Sequence, residues 1–307
     1  MPTVLITGGT GMIGRNLTEV LLQKGFQVII LTRKIADKQN NSNIRYAVWD
    51  IKREQIDIAA LQEADIIIHL AGAGVVDKKW TAAYKKEIIS SRTDSSRLII
   101  EALKNNTNKV KTFISTSAIG WYGADKDPVK PFTENDPAAE NFLGRTCKAW
   151  EESVAPVAYL GIRLVKLRTG IVLCNEGGAL PEFKRALLFG IAAVIGNGKQ
   201  IVSWIHIDDL SRLFLYAIEN KSLEGSYNAV APEPVSNKTL TVQLAKTMRG
   251  RFYIPVLVPS FIIRLVLGQR SVEVLKSTTV SCKKILDTGF TFLYSTIESA
   301  ITDLVKK

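Results

Sequence analysis

The residues with the clearest chemistry lie near the start of the chain, where four glycines follow an apolar segment in TVLITGGTGMIGRNL, three of them spaced three residues apart. In this setting Gly8 permits a tight turn, Gly11 lets the backbone approach a diphosphate, and Gly14 lets a helix pack closely on the preceding strand. The amides of Met12 and Ile13 would face the phosphates at the positive end of that helix. The pattern therefore predicts a dinucleotide-binding loop. The residues that we assign to it are Gly8, Thr10, Gly11, Met12, Ile13 and Gly14.

The end of the second apolar segment, QVIILT, bears on the choice of cofactor. Thr32, Arg33 and Lys34 stand where a site for NAD usually has an acidic residue that accepts from the ribose 2′-hydroxyl. A carboxylate would repel a 2′-phosphate, whereas a guanidinium can bind it through two hydrogen bonds. We therefore predict that NADP(H) is preferred over NAD(H), with Arg33 on the 2′-phosphate; a solvated loop residue is the alternative for Arg33. Asp50 is placed either to meet the adenine amino group or to cap a turn.

Composition argues against several other kinds of site. The net charge is +11, but the basic excess is spread over both halves of the chain without a basic arm, so we expect no nucleic-acid partner. Cys147, Cys174 and Cys282 form no C-x-x-C pair, and the only histidines are His69 and His206, so no metal-site spacing is present. Scattered cysteines fit a reducing compartment. We expect a cytoplasmic protein that holds no metal.

Short apolar segments alternate with helical patterns through the first half of the chain. Helices are predicted near residues 12–24, 80–105 and 138–159. Continuous apolar strands alternating with helices are typical of a parallel sheet buried on both faces. We therefore predict an α/β fold built on a Rossmann-type doubly wound parallel sheet. The predicted strands are TVLIT, QVIILT, IRYAVW, DIIIHLA, VKTFISTS and GIRLVKLRTG.

The C-terminal half predicts a smaller, partly helical cap over the carboxyl ends of the strands. We expect a nucleotide-binding domain over residues 1–250, with cap segments at about 171–205 and 229–250, and a small helical domain over 251–307. The stretch YIPVLVPSFIIRLVLG is interrupted by Pro255, Pro259 and Arg264, so it should not span a bilayer, and we expect its apolar face to join the core. The opening MPTVLITGG lacks the pattern of a secretory leader. No membrane partner is expected.

Four motifs make the chain resemble the extended short-chain dehydrogenases/reductases: TGGTGMIG, HLAGAG, FISTSAIGWYG and WIHIDDL. It also resembles, more narrowly, the sugar-nucleotide-epimerase-like subgroup, which ends in a small C-terminal domain of unassigned function. WIHIDDL, NAVAPEPVSNKTLT and LGQRSVEVLKSTTVSCKKILDTGFTF carry that closer resemblance. The resemblance implies that Leu70, Ala71 and Gly72 contact the cofactor through their backbone. It also implies that Ser117 polarises a substrate carbonyl, although a serine that satisfies the backbone at a strand end is the alternative.

The catalytic pair of that superfamily is Tyr-x-x-x-Lys on one helix, and here the tyrosine is missing. By resemblance, Lys148 takes the position of the lysine, which binds the nicotinamide ribose and lowers the tyrosine pKa, with a solvated helix lysine as the alternative. Gly144 takes the position of the tyrosine. Gly144 has no proton to donate. Tyr122, on the loop that leaves the same strand as Ser117, is our candidate replacement, with packing as the alternative. Cys147 points away from the i, i+4 face and is a lesser candidate.

Two further residues are candidates for contact with substrate. Arg92 would face a phosphate or carboxylate, or be a solvated or paired helix residue, and His206 is either structural or adjacent to substrate. We predict an NADP(H)-dependent oxidoreductase or epimerase that acts on an unidentified small substrate. A nucleotide-linked molecule is one candidate for that substrate, and a homodimer is one candidate assembly. The alternative is a non-catalytic NADP(H)-sensing protein, which Gly144 favours.

Overall fold

The computed structural model describes residues 1–35, 40–126 and 129–306. The strands are β1 (Thr3–Thr7), β2 (Gln27–Thr32), β3 (Ile44–Asp50), β4 (Gln55–Ile56), β5 (Ile66–His69), β6 (Thr112–Ala118), β7 (Arg163–Thr169), β8 (Ile171–Cys174), β9 (Gly177–Gly178), β10 (Ile191–Ile195), β11 (Ile201–Val202), β12 (Trp204–His206), β13 (Gly225–Ala229), β14 (Val235–Ser236) and β15 (Ile254–Val258). The helices are α1 (Met12–Gln23), α2 (Ile58–Glu63), α3 (Ala82–Asn105), α4 (Phe142–Val154), α5 (Leu180–Leu187), α6 (Ile207–Glu219), α7 (Asn237–Arg249), α8 (Ser260–Leu267), α9 (Ser271–Leu275), α10 (Lys283–Leu286) and α11 (Ile297–Lys306).

The main sheet has the strand order β13-β7-β6-β5-β1-β2-β3-β4. Neighbouring strands run parallel except for β4, which pairs antiparallel with β3 at one edge. The order reverses at β1, which lies between β2 and β5, so the crevice of this doubly wound sheet opens above the carboxyl end of β1. The predicted fold class is confirmed.

Both faces of this sheet are covered, because its central strands are apolar on both sides. Val4, Leu5 and Ile6 in β1 are fully buried. Side chains alternate between the faces of a strand, so Val4 and Ile6 pack with α1 and α6, whereas Leu5 packs with α2 and α3. The strands are therefore packed between two layers of helices, which hold in place the loops at the carboxyl ends of the strands.

The cap consists of short strand pairs and helices from the C-terminal half. Strands β8, β9 and β12 form one small sheet, β11 pairs with β14, and β10 pairs in parallel with β15. Trp204, Leu240 and Ile301 belong to an apolar cluster distinct from the two faces of the main sheet, and α5, α7 and α11 all contribute to it. Because β15 lies beyond residue 250 and pairs with β10, the last segment is not purely helical; the domain boundaries stay predictions.

Helix α8 departs from the sequence prediction. Its apolar face was expected to join the core, but no residue of α8 is buried, and Phe261 and Leu265 are exposed by 68% and 83%. The expectation was wrong because α8 follows a peripheral strand, β15, whose residues are also mostly exposed. Within the residues that the structure describes, no helix is both long and apolar enough to cross a membrane.

Candidate functional site

The glycine loop between β1 and α1 has the geometry of a phosphate cradle. Gly8 has a φ of 71°, in the left-handed region, and its carbonyl accepts from the Gly11 amide at 3.0 Å. A β-carbon on Gly8 would lie 3.0 Å from the carbonyl of Leu70, and one on Gly14 would overlap the backbone of Gly9. Each of these contacts excludes a side chain. The loop therefore folds tightly against β5 and leaves its outer surface open.

The N-terminus of α1 is open to an anion. No side chain caps this end of the helix, so the first amides, at Met12 and Ile13, are available to a ligand. The Thr10 carbonyl accepts a hydrogen bond from the Arg15 guanidinium at 3.0 Å. The hairpin of β8 and β9 lies beside the Met12 side chain, because a β-carbon on Gly177 would lie 3.3 Å from the sulfur of Met12.

Arg33 lies directly after the carboxyl end of β2 and is exposed. Within the described residues its guanidinium has no ion pair within 4.0 Å. The Asp50 carboxylate has a local role, because Oδ1 accepts from the amides of Lys52 and Arg53 at 2.9 and 3.2 Å. Of the two alternatives for Asp50, the structure contains the turn cap, and a contact with adenine stays a prediction.

The segment after β5 completes this edge of the sheet. The amides of Leu70 and Ala71 both donate to the Thr7 hydroxyl at 3.2 Å, and Gly72 is exposed. His69 is fully buried between Thr7 and α3, and burial lowers its pKa to about 3. It is therefore a neutral core histidine.

A cavity of about 360 Å³ lies beside the carboxyl ends of β6 and β7 and extends to the cap. The helical face of α4 forms one wall, with residues three and four apart pointing inward. Most of the lining is apolar, including Ile119, Leu143, Trp150, Ile171, Phe183 and Leu240. Arg92 of α3 also lines it. A β-carbon on Gly72 would lie 3.0 Å from Cζ of Arg92, so the cavity adjoins the segment assigned to the cofactor.

The space beside Gly144 is filled by the protein itself. The side chain of Asn141 caps α4 by accepting from the Gly144 amide at 2.8 Å. A β-carbon on Gly144 would overlap the carbonyl of Ala139, whose amide in turn donates to Trp121 O at 2.7 Å. Backbone of the preceding loop therefore lies where a side chain at this position would begin.

Tyr122 is held in a buried polar network and does not line the cavity. Its hydroxyl donates to Asn228 Oδ1 at 2.6 Å and accepts from Arg168 Nη1 at 3.0 Å. Burial raises the pKa of Tyr122 to about 12, although the charge of Arg168 opposes this rise. The phenol therefore stays protonated at neutral pH. The amide of Asn228 reaches Ser281 O at 3.0 Å, which ties the network to the C-terminal segment.

Glu151 and Arg168 form the centre of that network. The guanidinium binds the carboxylate through two hydrogen bonds, at 2.8 and 3.1 Å, and both side chains are buried. Burial alone would raise the pKa of Glu151, but Arg168 and Lys166 together hold it below its usual value. Ser117 is buried, its hydroxyl has no hydrogen-bond partner among the described residues, and it is not part of the cavity lining. Sequence reasoning missed Glu151 and Arg168, because their ion pair joins α4 to β7 and no local pattern reveals it.

The remaining candidates are separated. Lys148 is exposed on α4 and does not line the cavity, whereas its neighbour Cys147 does. Burial raises the pKa of the Cys147 thiol to about 12, so it is neutral. His206 is fully buried and caps α6, because Nδ1 accepts from the Asp208 amide at 3.1 Å. Its Nε2 lies 3.3 Å from Asp303 Oδ2 on α11, a neighbour that no local sequence pattern could reveal.

Comparison with known proteins places these features in context. Residues 4–230 match the model of the NAD-dependent epimerase/dehydratase family, and residues 258–304 match a domain of unknown function, DUF1731. The chain is 34% identical to the epimerase family protein YfhF of Bacillus subtilis over 98% of its own length and 97% of that protein. It is 36% identical to the epimerase family protein SAR0825 of Staphylococcus aureus over the whole of both chains.

A similar solved structure is the human epimerase family protein SDR39U1 with NADPH. It has 25% identity, a TM-score of 0.86 and 99% coverage of both chains. The Bacillus cereus UDP-glucuronic acid 4-epimerase in complex with UDP-glucuronic acid and NAD has a TM-score of 0.78 at 20% identity, with 99% of both chains covered. This second similarity concerns the fold alone.

Proposed function

Because the chain belongs to the NAD-dependent epimerase/dehydratase family of extended short-chain dehydrogenases/reductases, we propose that it is an NADP(H)-dependent oxidoreductase or epimerase that acts on a small molecule. The observation that carries this proposal is the continuity of one sheet edge. The glycine loop, the Gly72 segment and the cavity follow one another along the carboxyl ends of the parallel strands, where ligands of such sheets bind. The cofactor and a small substrate would meet there.

The preference for NADP(H) is part of the proposal. Arg33 supports it, because an exposed guanidinium without an ion pair in the described residues is available for a 2′-phosphate. The NADPH in the human SDR39U1 structure agrees with this choice, whereas two more distant structures, from Bacillus cereus and Bordetella bronchiseptica, contain NAD. Gly8, Gly11 and Gly14 would admit the diphosphate under either choice.

The catalytic roles of Ser117, Lys148 and Tyr122 stay proposals. The contacts of Tyr122 with Asn228 and Arg168 favour the packing alternative for that residue. A screen of carbonyl compounds with NADPH, followed by the loss of reduced-nicotinamide absorbance, tests the enzyme. For a substrate found in this way, Ser117→Ala and Lys148→Ala should each lower kcat by roughly 10²–10⁴-fold. Lys104→Ala, at an exposed lysine on α3, is the matched control.

One observation favours the alternative of a non-catalytic NADP(H) sensor. The backbone of Ala139 fills the space beside Gly144, so the family's usual proton donor cannot be accommodated without moving the loop. Tight NADPH binding without turnover of any compound in the screen would support the sensor. Turnover that requires Ser117 would support the enzyme.

Assembly and compartment are further parts of the proposal. Exposed apolar side chains on β15 and α8, such as Leu257, Phe261 and Leu265, are where we would place a homodimer interface, and light scattering tests it. Cys147, Cys174 and Cys282 are all free and buried, which supports a reducing compartment such as the cytoplasm.

A further inference from the structure

The lining of the cavity indicates what kind of molecule it accepts. Its walls are mostly aliphatic and aromatic, and several polar side chains in it are already used by the protein backbone. Thr278 donates to Gly123 O at 2.7 Å, Ser203 donates to Thr278 O at 2.8 Å, and Thr146 donates to Phe142 O at 2.7 Å. The cavity therefore offers a ligand few neutral hydrogen-bonding groups.

The charged groups in the lining differ in whether they have a counter-ion. Lys276 and Glu273 lie 2.7 Å apart and neutralise each other. Arg92 is only 8% exposed, and no acidic side chain of the described residues lies within 4.0 Å of its guanidinium. Burying a cation without a counter-ion costs free energy, so such a group is rarely retained unless it binds an anion.

The contacts of Arg92 hold its guanidinium in place and leave part of it free. Nη1 donates to Ile88 O at 2.8 Å and to Ala73 O at 3.1 Å. The guanidinium carbon lies 4.8 Å from the ring centre of Trp150. Among the described residues no acceptor meets Nε or Nη2 of Arg92, and the buried indole N–H of Trp150 also has none. Two adjacent side chains of one wall therefore have unused donors.

We propose that this cavity binds a predominantly apolar substrate that carries one anionic group, a carboxylate or a phosphate, and that Arg92 binds this group. The proposal rests on the proposed function, because it names the substrate class for the same site. A nucleoside diphosphate sugar fits poorly, since its hydroxyls and two phosphates would be desolvated against Ile171, Phe183 and Leu240 without partners. The substrate is therefore expected to be an apolar acid or phosphate ester.

The test uses two fluorescent probes of nearly the same shape with the full-length protein. 1-Anilinonaphthalene-8-sulfonate carries an anion, and N-phenyl-1-naphthylamine is its uncharged analogue. A charged hydrogen bond in a buried site should favour the anionic probe by roughly 10- to 100-fold. Arg92→Gln should abolish this preference. Arg97→Gln, on the same helix but 61% exposed at its side chain, should retain it.

Two controls separate the cavity from other sites. Leu265→Ser removes an exposed apolar side chain from α8 and should leave the preference for the anionic probe intact. A lost preference would mean that the probe binds at α8 and not in the cavity. Ile171 lines the cavity and is 42% exposed, so a tryptophan at this position can fill the cavity without being forced into the core. Ile171→Trp keeps Arg92 and should weaken the binding of both probes to the same extent. This second variant tests the site even where Arg92→Gln fails to fold.

Saturation with NADPH shows whether Arg92 binds the anionic group of a substrate or the diphosphate of the cofactor. A preference that persists with NADPH bound assigns Arg92 to the substrate, as proposed. A preference that disappears assigns Arg92 to the cofactor diphosphate and overturns the proposal. Equal affinity of the wild type for both probes, or a preference that Arg92→Gln leaves unchanged, also overturns it. Failure to bind NADPH would refute the proposed function instead, while the probe preference without cofactor would still stand.

Discussion

The carbonyl group of Ala139 occupies the space that a side chain on Gly144 would need. The relationship is fixed from both ends, because Asn141 caps α4 at the Gly144 amide and the Ala139 amide donates to Trp121 O. The glycine is therefore part of how the loop packs on the helix. A lost tyrosine alone would leave an empty space at this position.

Gly144→Ala is expected to lower the free energy of unfolding by about 1–3 kcal/mol, because the added carbon forces the loop away from α4. The loss should occur although alanine is the better helix former by about 1 kcal/mol. Urea unfolding measures it. Lys148→Ala, exposed on the same helix, should stay within about 0.5 kcal/mol of the wild type. A more stable Gly144→Ala variant would contradict the packing described here.

Arg33→Ala is expected to weaken NADPH binding by roughly 10- to 100-fold and to leave NADH binding unchanged, because only NADPH carries the 2′-phosphate. Calorimetric titration of both cofactors measures the difference. Arg53→Ala, another exposed arginine after a strand of the same sheet, is the control. An equal loss for both cofactors would mean that Arg33 supports the fold of the site and does not select the phosphate.

Tyr122→Phe is expected to lower the free energy of unfolding by about 1–3 kcal/mol, because Asn228 and Arg168 lose a buried partner. NADPH affinity should not change. Tyr159→Phe, at a tyrosine that is 91% exposed, should have no effect. If Tyr122→Phe keeps full stability but abolishes turnover of a substrate, then Tyr122 is a catalytic residue after all.

His69 should make stability depend on pH. Its folded pKa of about 3 lies below the ordinary 6.5, so the unfolded chain binds a proton first as the pH falls. Stability is therefore complete above pH 6.5 and declines below it, down to the folded pKa of about 3. The decline should reach roughly 2 kcal/mol by about pH 5. In His69→Asn this part of the pH dependence should vanish, and an unchanged slope from urea unfolding would contradict the assignment.

The fold could be predicted because the signals for it are local. Each signal lies within a single strand or turn: the apolar runs of β1 and β2 predict strands, and the glycines between β1 and α1 predict a tight turn. Helix α8 was misjudged for the converse reason. Its pattern is that of a buried helix, and only the position of β15 at the periphery leaves Phe261 and Leu265 exposed.

The site was only partly predictable, because its polar contacts join distant segments. Arg168 lies in β7 but binds Glu151 of α4 and Tyr122 of the loop after β6. Arg92 was noticed as a candidate for an anion, yet its lack of a counter-ion depends on the packing of α3 against α4. Such facts require the tertiary structure.

The central claim is that the open glycine loop and Arg33 form a working site for NADP(H). The most direct test is calorimetric titration of the purified wild-type protein with NADPH and, separately, with NADH. We expect tight binding of NADPH and weak binding of NADH. Binding of neither, or equal binding of both, would contradict the claim.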